Sequence, residues 1–508
     1  MKHRRILSGL AALMLAASLP MSALAREWDI ADGDITIVAD NDGQKVSQGT
    51  ENDISDDNPV IIGNSATNTV SIVAEKDRTA NVTLSGANID GSTKGNAAVS
   101  TTGEGNVSIE LDGDNTLKSG KGHAGLEKKN GGKLTIADED KNGKLTAEGG
   151  KYGAGIGGGD QGAGSGITIT GGEIKATGGQ YGAGIGGGKG AGSDITISGG
   201  EVNATGGTSG AGIGGGYNGN GSDITITDGE VNATGGKYGA GIGGGEYGIG
   251  KDIIITGGEV NATGGRFSAG IGGGSRGTGS DITISGGEVN ASGGVNGAGI
   301  GGGLRSKGKD ITVSGDTKLK VQGGDEDHYD GAGAGIGDGG SNAYGTKILG
   351  AEVEPDTSGL TTGRIEYYAP GADMDKDAPS QTIVGTYIPP QPAREAAAPA
   401  QPAAPLYRVT DGDGKDVSYE TTWRDGVLTV TVEADRAVLT GRLSGIASLQ
   451  AQGIERIVFI TKGATSEFLT ADLLAAAPAT ERYALSHDGE AVTFTAGEAD
   501  VSGILVKA

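Results

Sequence analysis

From about residue 150 to 340, apolar and polar positions alternate in short runs that restart at a nearly constant interval. In the run opening at Asp194, Ile195 and Ile197 share one side, while Asp194, Thr196 and Ser198 take the other. In the next run, Val202 and Ala204 oppose Glu201, Asn203 and Thr205. Period-two alternation is the mark of a strand with one buried face. A GAGIGGG box separates each pair of runs from the next. Its isoleucines fall at Ile156, Ile185, Ile213, Ile242, Ile271, Ile300 and Ile336, in steps of 29, 28, 29, 29, 29 and 36 residues. A fixed repeat of this length marks a solenoid. Three short strands per coil, joined by glycine turns, predict an all-β parallel β-helix with stacked interior ladders of Ile, Val and Ala.

The same grammar appears upstream in degraded form, as in NVTLSGANID, GNVSIELDGDNTLKSG and GGKLTIADEDKNGKLTAEGG. Residues 26–350 therefore read as one array of roughly eleven coils, about 29 residues each. Stacked about 4.8 Å apart, they would form a rod on the order of 50 Å long. A single coil buries too few side chains to offset the ordering of its backbone, so the array must fold as a continuous stack. The pattern stops near Gly350. Residues 351–405 read as a cap region followed by a Pro/Ala-rich extended linker, PPQPAREAAAPAQPAAP. Residues 406–508 read as a separate small β-rich domain with a helix near Thr470 to Ala477.

Composition changes the picture at two points. Glycine supplies 104 of 508 residues and keeps phase with Ile, Val and Ala, which makes these turn residues rather than disorder; no Gly-X-Y period suggests collagen. The formal charge is −24, and losing Lys2, Arg4 and Arg5 with a leader takes it to −27. So acidic a surface repels phosphate backbones and anionic bilayers, which argues against nucleic acid as a partner. Residues 1–25 read as a signal peptide: basic MKHRR, an apolar stretch, and a small-residue end cleaved after Ala25. The expected location is extracellular or cell-surface, as a monomer without membrane insertion. No cysteine is present for disulfides or lipid attachment, so core and backbone must hold the exported chain together.

Candidate chemistry is sparse. Two acidic rows repeat with the coil: Asp194, Asp223, Asp252, Asp281 and Asp310, and Glu173, Glu201, Glu230, Glu259 and Glu288. Stacked like charges repel, and bound cations, or salt with nearby lysines, would relieve them. Asp138, Asp140 and Asn142 match the first half of a calcium loop, D-x-D-x-N-G, but Gly149 stands where the closing glutamate belongs. An Asn-Gly turn between two strands accounts for the same letters. Asp411, Asp413 and Asp416 are a weaker version of that pattern. Four residues before the box isoleucine lie Tyr152, Tyr181, Ser209, Tyr238, Phe267 and Asn296. Tyr152, Tyr181, Tyr238 and Phe267 are candidate glycan-stacking rings, or a structural ladder of rings packed on one another. Thr196/Ser198, Thr225/Thr227 and Thr283/Ser285 form an outward hydroxyl array that Ile254 interrupts. His123, His328 and His487 stand beside no pattern that names a reaction, and the DEDHYD insert, Asp325 to Asp330, reads as a solvated loop. No catalytic residue is assigned.

The series NVTLSGANID, GNVSIELDGDNTLKSG, GGKLTI, GAGIGGG and ITISGGEVNATGG, over about residues 28–345, resembles secreted right-handed parallel β-helix proteins of anaerobic bacteria, of the carbohydrate-binding or adhesin-like type. That resemblance implies a right-handed coil similar in fold to pectate lyases and polygalacturonases, polysaccharide as a partner and calcium as a possible companion. The glycosidase motifs of that fold are not found in order, and Gly122-His123-Ala124 is a poor echo of Gly-His-Gly. The expectation is a non-enzymatic exported protein that engages glycans or cell-wall polymers along the side of the helix, with no cofactor required. A polysaccharide lyase or hydrolase, or a passive rod displaying the C-terminal domain, are the alternatives.

Overall fold

The computed structural model describes residues 26–343, 346–385 and 407–506, apart from Asp413, Asp416, Asp425, Gln452, 477–481 and Glu498. The leader (1–25) and the Pro/Ala-rich stretch (389–405) lie outside the described residues. The repeats form the expected parallel β-solenoid. Each coil has three strands: a two-residue strand at the box, such as Ile213–Gly214, then two longer ones, such as Gly250–Ile255 and Glu259–Thr263. The box strands stack into a 13-stranded sheet, and the longer strands stack into a 21-stranded sheet that turns a corner at each Gly-Gly pair. Where Ser198-Gly199-Gly200 makes that corner, the strand Gly192–Thr205 runs through it without a break.

Register runs like onto like. Ile185, Ile213, Ile242, Ile271 and Ile300 pair in succession. So do Val202, Val231, Val260 and Val289 on another face. All are fully buried. Between Ile195 and Ala291 each inward strand position thus meets a copy of itself, which keeps volume constant as close packing demands; toward the ends the ladders change, with Ile174 on Val202 and Ala291 on Val321. The outward asparagines also stack: Asn232, Asn261 and Asn290 each donate an amide hydrogen to the preceding Asn203, Asn232 and Asn261, at 3.1, 2.9 and 2.7 Å. Polar ladders of this kind add hydrogen bonds along the axis. They give the recurrent NAT tripeptide a structural use. The glutamate row stacks beside them and ends on cations at both ends, Lys144 on Glu173 at 2.6 Å and Lys318 on Glu288 at 3.7 Å.

Glycine in the box answers to a geometric demand. Gly186, Gly214 and Gly243 hold φ of 124, 127 and 131°, in the region that side chains disfavour. A Cβ at Gly214 would also overlap the carbonyl oxygen of Gly243 in the next coil. The coils lie too close there for any side chain.

Antiparallel hairpins finish both ends. Ile35–Asp40 pairs with Gly43–Gln48, which pairs with Glu51–Ser55. At the other end Arg364–Tyr368 adds in parallel to Lys318–Gln322, and Gln381–Val384 folds back on it. The C-terminal region has its own core, including Phe459, Phe468, Tyr483 and Phe494. A five-stranded and a four-stranded sheet pack there with helices Leu443–Ala451 and Thr470–Ala476. The sequence had placed only the second of these helices. Among the described residues no helix is long and apolar enough to cross a membrane.

Replacing Gly214 with alanine should cost at least about 2–3 kcal/mol of unfolding free energy, because backbone strain adds to overlap. Gly43→Ala, at φ 110° with open space around it, should cost only the strain, about 1 kcal/mol. Urea denaturation of the two variants measures the difference, and equal losses would contradict the close-approach argument.

Candidate functional site

The turns on either side of the box gather most of the solenoid's rings. Tyr152 stacks on Tyr181 with centroids 5.3 Å apart and planes 12° from parallel, and Tyr238 stacks on Phe267 at 5.8 Å and 10°. The row does not run on between these pairs. Ser209 is buried and donates from Oγ to Glu246 at 2.6 Å. Asn296 is likewise buried beyond Phe267, donating to the Asp330 and Gly331 carbonyls. The expected row is therefore two stacked pairs whose facing ring surfaces cover each other.

Two tyrosines that sequence spacing missed extend the first pair. Tyr217 meets Tyr181 edge to face at 5.6 Å and 73°, and Tyr247 meets Tyr217 at 6.1 Å and 84°. The Tyr217 amide donates to the Tyr181 carbonyl at 2.8 Å, tying the turn after one box to the turn before another. Tyr217 stands four residues after its box isoleucine and Tyr247 five. That one-residue offset hid the relation. The result is a string of four rings, Tyr152, Tyr181, Tyr217 and Tyr247, crossing several coils.

Cations line this string in an otherwise acidic chain. Lys151 Nζ lies 5.3 Å from the Tyr152 centroid and 5.8 Å from that of Tyr181. Lys189 is 5.9 Å from both Tyr152 and Tyr217, and the Arg276 guanidinium is 5.9 Å from Tyr247. Such placement is attractive through the ring quadrupole. Tyr247 is the most exposed ring of the string. It is 47% exposed, and its φ is +64°, a left-handed conformation that bulky side chains rarely hold. The corresponding turns of other coils hold the same conformation at Gln161, Asn218, Arg276 and Arg305, φ 56 to 62°.

The calcium-loop residues fall on the turn between Leu134–Ala137 and Lys144–Glu148. Asp138 Oδ1 accepts the amides of Asn142 and Gly143, both at 3.1 Å. Asn142 spends its side chain on the Gly113 amide and on Asp140. The carboxylates that converge are Asp138, Asp140 and Glu110, with oxygens within 4.8 Å of one another. Glu110 comes from the preceding coil, paired with Ala137; linear spacing gave no sign of it. Burial raises its carboxyl above the usual range. Asp411 lies in a C-terminal turn, where its carboxylate accepts the Lys415 amide at 2.9 Å, while Asp413 and Asp416 lie outside the described residues.

The histidines acquire partners the sequence did not suggest. His123 Nδ1 is 2.8 Å from the buried carboxylate of Glu127, which Lys129 also reaches at 2.8 Å. Next to them Lys128 is buried, its ammonium pushed down to about 8 by desolvation, and it donates to the Asn130 carbonyl. Glu127 stands where the next coil has the box glycine Gly157. The DEDHYD insert is more than a solvated loop: Asp330 is 4% exposed and receives Arg305 through Nε and Nη2 at 2.8 and 3.0 Å. His487 is fully buried in the C-terminal core, bonded to Thr461 and Ser466 at 3.0 and 2.8 Å.

Comparison with known proteins agrees with this architecture. The family model of the beta helix repeat matches six segments, 141–160, 167–189, 195–217, 224–246, 253–275 and 282–304. Each spans a glycine corner and the box that follows or the strands leading into it. No curated protein and no solved structure matches the chain significantly.

Burial lowers the His487 pKa from 6.5 to about 4. The folded C-terminal core thus keeps a neutral ring where the unfolded chain would take up a proton. Stability from this residue is complete above about pH 6.5 and declines as pH falls toward 4, by roughly 3 kcal/mol in total. Chemical denaturation of the full chain and of His487→Gln should show the gap between them shrinking by that amount from pH 7 to pH 4. Parallel pH profiles would contradict it.

Proposed function

We propose that the protein is an exported, non-enzymatic carbohydrate-binding or adhesin-like protein that engages glycans along the side of its solenoid. The leader composition of residues 1–25 supports export, and the acidic surface argues against nucleic acid. The face assigned to the ligand is the string Tyr152, Tyr181, Tyr217 and Tyr247 with its attendant lysines and Arg276.

The observation that carries this reading is Tyr247. A tyrosine held at φ +64° costs backbone energy that asparagine or glycine would avoid, and its ring is half exposed rather than packed in the core. The left-handed turn itself recurs at Gln161, Asn218, Arg276 and Arg305; what Tyr247 adds to it is a partly exposed ring, which a binding surface requires and a packing role does not. Pyranose rings present C–H faces that stack on such side chains, while hydroxyls and carboxylates of the polymer meet the neighbouring ammonium and guanidinium groups. Tyr152 and Tyr181 then serve as the packed base of the string, and Tyr217 and Tyr247 as its contact end. Calcium, where it takes part, would sit at Glu110, Asp138 and Asp140 and brace one turn of the rod.

Full-length protein on an array of plant, microbial and mucin glycans, with calcium and with chelator, should bind a defined subset. Tyr247→Asn should lower that binding about tenfold or more, given about 1–3 kcal/mol for a stacked ring, while leaving thermal stability equal or higher. Loss of stability without loss of binding, or no glycan bound at all, would overturn the proposal.

A further inference from the structure

One outward row on the long-strand sheet reads Thr196, Thr225, Ile254, Thr283 and Thr312, paired in strict register. Ile254 is the one apolar member. It does not belong to the core, which Ile253 and Ile255 already fill from the same strand. In the structure it lies beneath the C-terminal domain. A cavity of about 280 Å³ has Ile254 as its solenoid wall, with Tyr407, Ser444, Gly445 and Ser448 among the residues opposite.

Beside it, Arg442 Nη1 stands 3.4 Å from Asp223 Oδ1 and 3.8 Å from Asp252 Oδ2. These two belong to the aspartate row whose members all hold left-handed backbone, φ 51 to 55°. Arg408 and Arg482 line the same side of the domain. The charges therefore match across the contact, basic on the domain and acidic on the solenoid. Charge alone names no unique seat, however. Asp194, Asp281 and Asp310 present the same carboxylate on neighbouring coils, so an arginine shifted by one coil, about 4.8 Å, would meet an equivalent pair. Ile254 breaks that degeneracy, since within the threonine row only its coil offers an apolar side chain to the domain.

We propose that the Asp/Thr face of the solenoid is a docking surface for the chain's own C-terminal domain, with Asp223 and Asp252 attracting Arg442 and Ile254 selecting the coil on which the domain sits. The seated domain covers part of a groove of about 800 Å³ lined by the aspartates and threonines. A contact resting on partly exposed ion pairs is screened by salt, and the tether keeps the domain nearby when it lifts. The seat is thus reversible, and the groove beneath it opens when the domain leaves.

The absence of cysteine from the whole chain permits a direct test. Full-length protein carrying Ser444→Cys is paired with Thr225→Cys, Thr283→Cys or Thr312→Cys, and disulfide formation is timed under mild oxidation. Cross-linking to a coil flanking Ile254, at Thr225 or Thr283, should be about tenfold faster than to Thr312, as expected for a held rather than a freely tethered partner. Moving the isoleucine one coil, by Ile254→Thr with Thr283→Ile, should make Thr312→Cys the fast partner. Arg442→Glu, or molar salt, should flatten the preference. Far-ultraviolet circular dichroism confirms that each variant is folded. Equal rates at all three positions in the unaltered register would overturn the docking surface, and a preference that stays put when the isoleucine moves would overturn its role in selecting the coil.

Discussion

The contact on which the molecule depends is backbone against backbone at the glycine box. The box amides Ile213 and Ile242 donate to Gly241 and Gly270, each at 3.0 Å, on the coil ahead, and the left-handed glycines between them leave no room for a side chain. This close approach sets the repeat length, because a coil must return to the box after a fixed run of residues. It also favours like on like in the central coils, where isoleucine stacks on isoleucine and valine on valine. The 36-residue step to Ile336 is accommodated because the added DEDHYD residues leave the coil at a turn, where Arg305 and Asn342 anchor Asp330.

With the core so constrained, variation is confined to turns and outward positions, and that is where the chemistry lies. Repetition creates a difficulty there, since identical charges come to stand one above another. The glutamate row resolves it by ending on Lys144 and Lys318 and by leaning on the asparagine ladder. The aspartate row resolves it with Lys251 at 3.1 Å from Asp252, Lys309 at 3.0 Å from Asp310, and Arg442 from the C-terminal domain. Departures from the repeat are consequently informative. The exposed ring of Tyr247 and the outward Ile254 in a row of threonines are two such departures.

What could be read from the sequence followed from periodicity. The solenoid, its three strands per coil and the inward Ile, Val and Ala were legible because each signal recurs in phase. Relations between coils were not. Tyr217 and Tyr247 escaped notice because they are offset by one residue from each other in their turns, and Glu110 because it reaches Asp138 and Asp140 only through strand register. The stacking of Tyr152 on Tyr181 was one of the two readings the row allowed, but its interruption by the buried Ser209 was not legible. In the C-terminal domain no repeat averages out local ambiguity, and the helix Leu443–Ala451, short and interrupted by Ser444, Gly445 and Ser448, carries little periodic signal.

Hydrogen exchange followed by mass spectrometry tests most directly whether the box contact governs the solenoid. If coils are held by box backbone bonds, the amides of Ile185, Ile213, Ile242 and Ile271 should exchange slowly and together with the long strands between them, as one cooperative unit. Rapid exchange at the box while Gly192–Thr205 and Gly221–Thr234 remain protected would show that the long-strand sheet holds the coils without it, and would contradict the account.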